Sequence, residues 1–199
     1  MAKQRRSSAG AGAKAEAPPP AEPQRPEVPF WRRPEARFLA GFLVVLAGSF
    51  LLLSWRPVND GLVEPFTAGV ARASGVALRL VGEDIVRTGT VLRSTSFAVN
   101  IRNGCNGVEA MVILLAAIVA YPAPWRARAI GLVLGTIVIQ LVNLVRVVAL
   151  FLTGAYMPRF FDSSHTLVWQ TVVILVALLV WVFWAKRFAR ALPAPAAAE

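Results

Sequence analysis

The sequence predicts an all-α membrane protein: a bundle of about four transmembrane helices, with an interfacial helix and a small β hairpin on its outer face. Hydrophobic residues make up 56% of the 199 residues, and the mean hydropathy is +0.58, which is more apolar than a soluble domain. Four apolar runs approach the length of about 20 residues that a membrane-spanning helix needs. Between the first two runs, apolar and polar residues alternate along the chain. This spacing differs from that of a helix and indicates short strands.

The net charge of +10 narrows the choice of partners. The arginines flank apolar runs, and they do not alternate with aromatic residues as in a nucleic-acid groove. They therefore indicate membrane topology and contact with lipid headgroups, and no nucleic acid is expected as a partner. Cys105 is the only cysteine, which excludes an intramolecular disulfide and a dithiol redox pair within the chain. We expect no metal site and no cofactor.

Both ends of the chain lack the large apolar residues that a packed core requires. Residues 1–30 are rich in Ala, Pro and basic residues, and residues 191–199 are similarly simple in composition. Both segments are therefore predicted to be disordered tails. Residues 31–190 form the predicted membrane domain, which begins with an aromatic and basic interface anchor at Trp31.

The first span is predicted from Phe38 to Trp55. The polar and proline-containing sequence Ser54-Trp55-Arg56-Pro57 ends it, where a signal peptide would have a small-residue cleavage site. We therefore expect the first helix to remain in the protein as a membrane anchor.

A second, less apolar helix is predicted from Leu62 to Val81. Its apolar residues recur at helical spacing, and the predicted apolar face contains Val63, Phe66, Val70, Val76 or Ala77, and Leu80. This pattern indicates a helix that lies along the membrane surface. An ordinary amphipathic helix packed against the rest of the protein is the open alternative.

The spacing of apolar residues changes from helical to alternating between Ile85 and Arg102. Phe97, Val99 and Ile101 alternate with more polar residues, which predicts two or three short strands in a hairpin that ends at the Cys105 turn. Because unpaired strand edges are not tolerated in lipid, we expect this small sheet in the aqueous or interfacial zone.

Three further spans are predicted after the sheet. They run from Gly107 to Tyr121, from Ala129 to Leu152, and from His165 to Ala185. A tight basic connection joins the second and third spans, and a short loop from Thr153 to Ser164 joins the third and fourth.

Alternation of four spans places the basic N-terminal tail, the Arg126/Arg128 loop and the Lys186-Arg187 end on one side of the membrane. That side is cytoplasmic by the positive-inside rule, so the sheet lies outside. Cys105 then lies at the outer end of the second span, and His165 at the outer end of the fourth. Arg146 lies 18 residues beyond Arg128, about 27 Å along the helix, which also reaches the outer edge of the membrane core. Three chemically capable residues are therefore predicted to share one depth.

Each of these residues also has an interpretation without catalysis. Arg146 can extend to the lipid headgroups, His165 can be an interfacial residue, and a lone cysteine can be a packing residue. Asn143 lies on the same helix face as Arg146 and is placed to orient it. Glu109 either pairs with Arg146 or tunes the site. The start of a helix favours a lowered pKa for the Cys105 thiol, and apolar surroundings favour a raised one.

The chain combines a strand leading into Asn-Gly-Cys-Asn-Gly at a helix start, Asn143-Leu-Val-Arg146 near the outer end of the next helix, and His165 at the start of the last. This ordered set resembles the exosortase/archaeosortase family of membrane cysteine transpeptidases, and among them the short exosortase H type. The resemblance covers roughly Phe38 to Ala185. It implies that Cys105 is the nucleophile, Arg146 the electrophilic partner and His165 the acid/base, with Asn143, Asn106 and Gly107 in supporting positions.

The resemblance also implies a partner and a location. Family members cleave exported proteins that carry a C-terminal recognition motif, a membrane helix and a basic tail, through a thioester intermediate. The site would face outward from the bacterial cytoplasmic (inner) membrane. The recognition motif, the acceptor (water or an amine) and the oligomeric state stay open. A non-enzymatic assembly or transport component with a structural Arg146–Glu109 pair is the rival interpretation, and a redox enzyme is a weaker third. A Cys105→Ser variant separates the first two, since only the enzyme would lose its activity.

Overall fold

The computed structural model describes Pro29, Trp31 and residues 33–189. Apart from Pro29, the predicted tails lie outside the described residues. The elements in chain order are α1 (Pro34–Ser54), α2 (Arg56–Val58), α3 (Glu64–Leu80), β1 (Val86–Thr88), β2 (Val91–Arg93), β3 (Ala98–Asn100), α4 (Val108–Ala120), α5 (Trp125–Tyr156), α6 (Phe161–Ser163) and α7 (Trp169–Arg187). The prediction of a mainly helical protein with a small sheet is confirmed.

Three helical segments are long and apolar enough to cross a membrane. They are α1, α5 and the segment Pro158–Arg187, which includes α7. The predicted second span, α4, has only 13 residues and is therefore about 20 Å long, shorter than a membrane core of about 30 Å. Three spans of sufficient length are therefore found in the described part of the chain, and the predicted number of four is not confirmed.

The short helix α4 lies between α1, α5 and α7 and contacts all three. Its Leu114 and Ile118 pack with Ile139 of α5 and Trp184 of α7 in one buried apolar cluster. The end of α4 lies against the start of α1, because a Cβ atom on Gly41 would be 3.7 Å from the Cβ of Ala120. The helices α1 and α4 therefore run antiparallel.

The end of α7 lies against the start of α5. The indole Nε1 of Trp184 donates a hydrogen bond of 2.7 Å to the carbonyl oxygen of Ala127. The ring packs against Gly131, where any side chain would collide with it. The basic residues at the start of α5 and the end of α7 thus lie at the same end of the bundle, which we call the basic end.

The sheet contains three antiparallel strands in the order β1-β2-β3, in agreement with the prediction of two or three short strands. Leu92 of β2 and Ile101 after β3 are buried against Leu78 of α3 and Phe151 of α5. The alternation at Phe97, Val99 and Ile101 is confirmed, since these side chains face this core while their neighbours point away.

A helix forms where the interfacial helix was predicted, and only part of its predicted apolar face, such as Val63, is buried within the protein. The outermost predicted members, Val76 and Leu80, are 49% and 83% exposed. Its buried face consists mainly of small residues, namely Thr67, Ala71, Ser74, Gly75 and Leu78. Small residues allow the helix to approach the sheet closely, and a Cβ atom on Gly75 would lie only 3.3 Å from a methyl group of Leu92.

The predicted loop from Thr153 to Ser164 is largely helical. α5 continues to Tyr156, and the helix breaks only at Met157, whose backbone angles are non-helical (φ −138°, ψ 60°). Pro158 explains this break, because proline disfavours helical geometry in the residue before it. A 3₁₀ turn, α6 and a π-helical turn (Ser164–Val168) then lead directly into α7. His165 therefore lies inside a helical segment that starts earlier than predicted.

Candidate active site

Cys105 lies in the loop between the sheet and α4. Its backbone N–H donates a hydrogen bond of 2.9 Å to the carbonyl oxygen of Arg102, which closes a tight turn. Gly104 and Gly107, on either side, have positive φ angles of 87° and 78°. Glycine adopts this conformation without strain, whereas other residues pay about 1–2 kcal/mol. The glycines of the motif therefore shape the loop that presents the thiol.

Asn106 connects this loop to both neighbouring helices and is completely buried. Its Nδ2 donates to Thr67 Oγ1 of α3 at 2.9 Å and to Asn103 Oδ1 at 3.2 Å. Its Oδ1 accepts a hydrogen bond of 3.0 Å from the N–H of Val108, the first residue of α4. Asn106 thus supplies the side-chain cap that Gly107, at the N-cap position, cannot provide.

The thiol of Cys105 lies next to the imidazole of His165. The Sγ atom is 3.1 Å from Nε2, a hydrogen-bonding distance. His165 stacks on Phe161, with the two ring planes 3° apart and their centroids 6.1 Å apart. Phe97 packs edge-on against Phe161, and it occupies the space beside Gly154 of α5 that a side chain there would need. The sheet and α5 thereby support the ring that supports His165.

Arg146 and Asn143 lie beneath the thiol on α5 and are 4% and 1% exposed. Asn143 packs against Gly107, since a Cβ atom there would be 2.9 Å from its Cγ. Within the described residues, the Nε of Arg146 and both polar atoms of the Asn143 side-chain amide have no hydrogen-bond partner. The charge of Arg146 acts on Cys105 and on His165. The structure therefore brings the three predicted site residues and Asn143 together.

Burial raises the pKa of the Cys105 thiol above its ordinary value. The positive charge of Arg146 opposes this effect and lowers the thiol pKa, while the negative charge of Glu109 raises it. Of the two opposing effects that the sequence left open, burial therefore outweighs the positive charge, because the half-buried thiol loses more hydration than Arg146 compensates.

Of the two roles that the sequence left open for Glu109, the ion pair with Arg146 is not found in the structure. Its Oε1 instead accepts a hydrogen bond of 2.7 Å from the backbone N–H of Gly104. Glu109 therefore holds the Cys105 loop, in the way that an acidic residue in the first turn of a helix binds backbone donors that precede it. This contact removes the structural pair on which the non-enzymatic interpretation rested.

The arrangement places a thiol, an imidazole and a guanidinium in one partly buried site. Such a set can form a covalent bond to a carbonyl carbon, move one proton and stabilise an oxyanion. Among the described residues, no group of three or more His, Cys, Asp and Glu side chains is placed to hold a metal ion.

Sequence reasoning missed two supporting residues, Thr67 and Phe161. Phe161 precedes His165 by four residues, a spacing that places side chains on one helix face and offered a signal. No sequence pattern connects Thr67 with Asn106, 39 residues away.

Comparison with known proteins gives one finding. The family model of transmembrane exosortases matches residues 30–182, a range that includes Cys105, Arg146 and His165. No curated protein and no solved structure matches the chain significantly.

Proposed function

The chain belongs to the transmembrane exosortase family, and we propose that it is a cysteine transpeptidase or protease that cleaves the C-terminal sorting signals of exported proteins. It is a multi-pass membrane protein, in agreement with its long apolar helices. The observation that carries the proposal is the distance of 3.1 Å between Cys105 Sγ and His165 Nε2. These two atoms meet from segments 60 residues apart, inside the region that the family model matches.

In the proposed first stage, Nε2 of neutral His165 accepts the thiol proton while Sγ of Cys105 attacks the scissile carbonyl carbon. This order of events suits a thiol whose pKa is raised, because the proton is removed only at the moment of attack. The guanidinium of Arg146 stabilises the oxyanion of the tetrahedral intermediate. When the C–N bond breaks, His165 donates the proton to the leaving amine, and the substrate remains as a thioester on Cys105.

In the second stage, water or an amine attacks the thioester carbonyl. His165 accepts the proton of this nucleophile, and the sulfur of Cys105 leaves as a thiolate that regains the proton from His165. Water as the nucleophile gives a protease, and an amine gives a transpeptidase. We further propose that the site opens on the outer face of the cytoplasmic membrane, where exported proteins arrive.

Two observations bear on supporting roles. Asn143 lies one helical turn before Arg146, and its polar atoms have no partner within the described chain, so we propose that it orients the guanidinium or the oxyanion. Asn106 and Gly107 hold the loop in the conformation that directs Cys105 toward His165. Neither residue touches the reacting atoms, so both are positioning residues.

A comparison of protein C-termini in the host tests the function and requires no identified substrate. Cells that lack the gene should accumulate exported proteins with an intact C-terminal apolar helix, as measured by mass spectrometry of C-terminal peptides from membranes. The full-length chain should restore cleavage, and the Cys105→Ser variant at equal membrane levels should not. Equal processing by Cys105→Ser would contradict the proposal and favour a non-enzymatic component.

The covalent intermediate provides a second, independent readout. In wild-type membranes quenched with acid during processing, part of the chain should carry substrate as a thioester on Cys105, and His165→Ala should carry none because it cannot remove the thiol proton. A covalent complex with a fragment of a processed protein, released by neutral hydroxylamine and missing in the Cys105→Ser control, would support the mechanism.

A further inference from the structure

An apolar groove lies between α1, α4 and α7, on the side of the bundle away from α5. It encloses about 450 Å³. Its floor is formed by Ala110, Ile113 and Ala117 of α4, and its walls by apolar side chains of α1 and α7 such as Phe42 and Leu178. Ile113 is 44% exposed and Leu178 is 53% exposed, so the groove is open along its length.

The groove has two different ends. At the basic end, Phe38 of α1 and Trp181 of α7 close it, with ring centroids 5.9 Å apart. At the other end, its lining changes to the polar residues Glu109 and Gln170. These residues follow Cys105 and His165 by four and five positions, respectively. The groove therefore leads from the basic end toward the Cys105–His165 contact.

The polar end of the groove continues into a partly polar cleft. Glu109 lines both the groove and this cleft of about 290 Å³, whose lining includes the polar Arg56, Asn59 and Asn103 together with apolar residues such as Phe50 and Leu53. Gln170 is exposed although it lies in a segment apolar enough to span the membrane. An exposed amide is costly in lipid unless a partner satisfies it, so this position calls for a ligand with polar atoms at that level.

We propose that the groove binds the apolar helix of the protein to be cleaved, with the residues before that helix lying in the partly polar cleft. This proposal rests on the proposed function and adds the place where the substrate docks. The path is apolar and then partly polar, which matches a polypeptide that leaves the membrane next to Cys105. The scissile bond then lies at the change of polarity.

Charge and shape both favour a helix as the occupant. The first turn of a helix has four backbone N–H groups without partners and a partial positive charge, and the carboxylate of Glu109 with the amide of Gln170 can bind them. Ala110 and Ala117 lie two turns apart on the exposed face of α4, and small residues there allow a second helix to approach closely. A lipid acyl chain offers no polar atoms at the level of Gln170.

Site-specific photocrosslinking tests the location. A photoreactive benzoylphenylalanine replaces Ile113 in a full-length chain that also carries Cys105→Ala, so that uncleaved substrate persists in host membranes. The matched control has the probe at Val133 of α5, which is 59% exposed outside the groove. The expected product joins position 113 to the C-terminal helix of a protein whose processing depends on Cys105. Crosslinks only to lipid or to a second copy of the chain would overturn the proposal.

Filling the groove tests its role in processing. Ala117→Trp and Leu178→Trp should each slow processing by about tenfold or more, because a displaced helix moves the scissile bond away from the thiol. The same substitution at Val133 should leave processing unchanged. Labelling of Cys105 by a thiol reagent should be equal in all three variants, which shows that the site itself is intact.

The two proposals fail in different ways. If no host protein requires Cys105 for its processing, the proposed function is wrong. If processing requires Cys105 but proceeds at the wild-type rate in membrane-inserted Ala117→Trp and Leu178→Trp chains, only the groove proposal is overturned. Should neither variant insert, the crosslinking at position 113 decides.

Discussion

The Sγ atom of Cys105 lies 3.1 Å from Nε2 of His165, and two separate parts of the fold create this contact. The Asn106 hydrogen bonds fix the loop that carries the thiol, and the stacked ring of Phe161 fixes the imidazole. Since burial raises the thiol pKa, the pair in its resting state is a neutral thiol beside an imidazole. The pH dependence of Cys105 labelling tests this state directly.

The first prediction concerns the pH dependence of Cys105 labelling. A membrane-impermeant thiol reagent reacts with the thiolate, so labelling of the free enzyme should rise with pH around a midpoint above that of an ordinary thiol. Arg146→Met removes the charge that lowers the thiol pKa and should move the midpoint to higher pH. Glu109→Gln removes the charge that raises it and should move the midpoint to lower pH.

The reference for this titration is an exposed cysteine in the same protein. Thr95 is exposed in the turn between β2 and β3, so a Thr95→Cys, Cys105→Ser chain provides it. A wild-type midpoint below that of the reference would show a preformed thiolate and contradict the burial argument.

The second prediction is that Arg146→Lys is not a conservative change. Lysine retains the positive charge but loses the planar guanidinium, which can contact an oxyanion and Asn143 at the same time. Processing should fall by about a hundredfold or more, as for the loss of other oxyanion donors. Arg128→Lys at the basic end, where Arg128 Nη2 donates to the Tyr121 carbonyl oxygen, is the control and should process normally. Wild-type activity in Arg146→Lys would mean that Arg146 only anchors α5 to the headgroup region.

The third prediction concerns the ring under His165. Phe161→Leu removes the stacked ring and should lower the processing rate and change its pH profile, because the imidazole is no longer held beside the thiol. Phe160→Leu, at a 63% exposed neighbour, is the matched control. A loss of activity in both variants with unchanged pH profiles would indicate general destabilisation and contradict a positioning role.

The shared level of Cys105 and His165 in the membrane was predictable because helix geometry is regular, whereas their contact was not. A rise of 1.5 Å per residue, applied to apolar runs of known length, places their ends at one level whatever the side-chain packing. The alternation before Cys105 was informative because strand geometry is also regular. Successive side chains point to opposite faces, and one face of the sheet must be buried.

Elements decided by close packing were less predictable. The face that α3 buries within the protein was not predicted, because Ala71, Ser74 and Gly75 are buried for their small size, whereas a hydropathy pattern favours large residues such as Leu80. The partner of Glu109 was missed because a backbone N–H of a glycine loop leaves no trace in the sequence. The thiol pKa depends on the burial of Cys105 and on its distances to the charges of Arg146 and Glu109. Neither the burial nor the distances can be read from the sequence.

The fourth prediction concerns the orientation of the bundle in the membrane. Arg126 and Arg128 at the start of α5 lie at the same end as Lys186 and Arg187, so a reporter fused at Pro124 should read cytoplasmic. Reporters at Thr90, in the sheet, and at Met157, after α5, should read external. An external reading at Pro124 would place the Cys105–His165 contact on the cytoplasmic side and exclude exported proteins as substrates.

The last prediction concerns Asn106 and the stability of the loop that carries the thiol. Asn106→Ala leaves the Val108 N–H without its partner, at a cost of about 1–3 kcal/mol, and removes the hydrogen bond to Thr67 Oγ1, worth about 1 kcal/mol, although this hydroxyl still donates to the Val63 carbonyl oxygen. For a chain of this size, the midpoint of thermal unfolding in detergent should fall by about 5 °C or more. Asn106→Asp retains the acceptor for Val108, so its midpoint should fall by less.

The single cysteine provides the measurement itself. A fluorogenic thiol reagent reports unfolding by its reaction with half-buried Cys105 and with no other residue of the chain. Asn100→Ala is the control, because it removes an exposed side-chain hydrogen bond, to Thr90, that water can replace. If Asn106→Ala unfolds at the same temperature as Asn100→Ala, the loop does not depend on this amide. The directed approach of Cys105 to His165 must then come from the glycines and Glu109 alone.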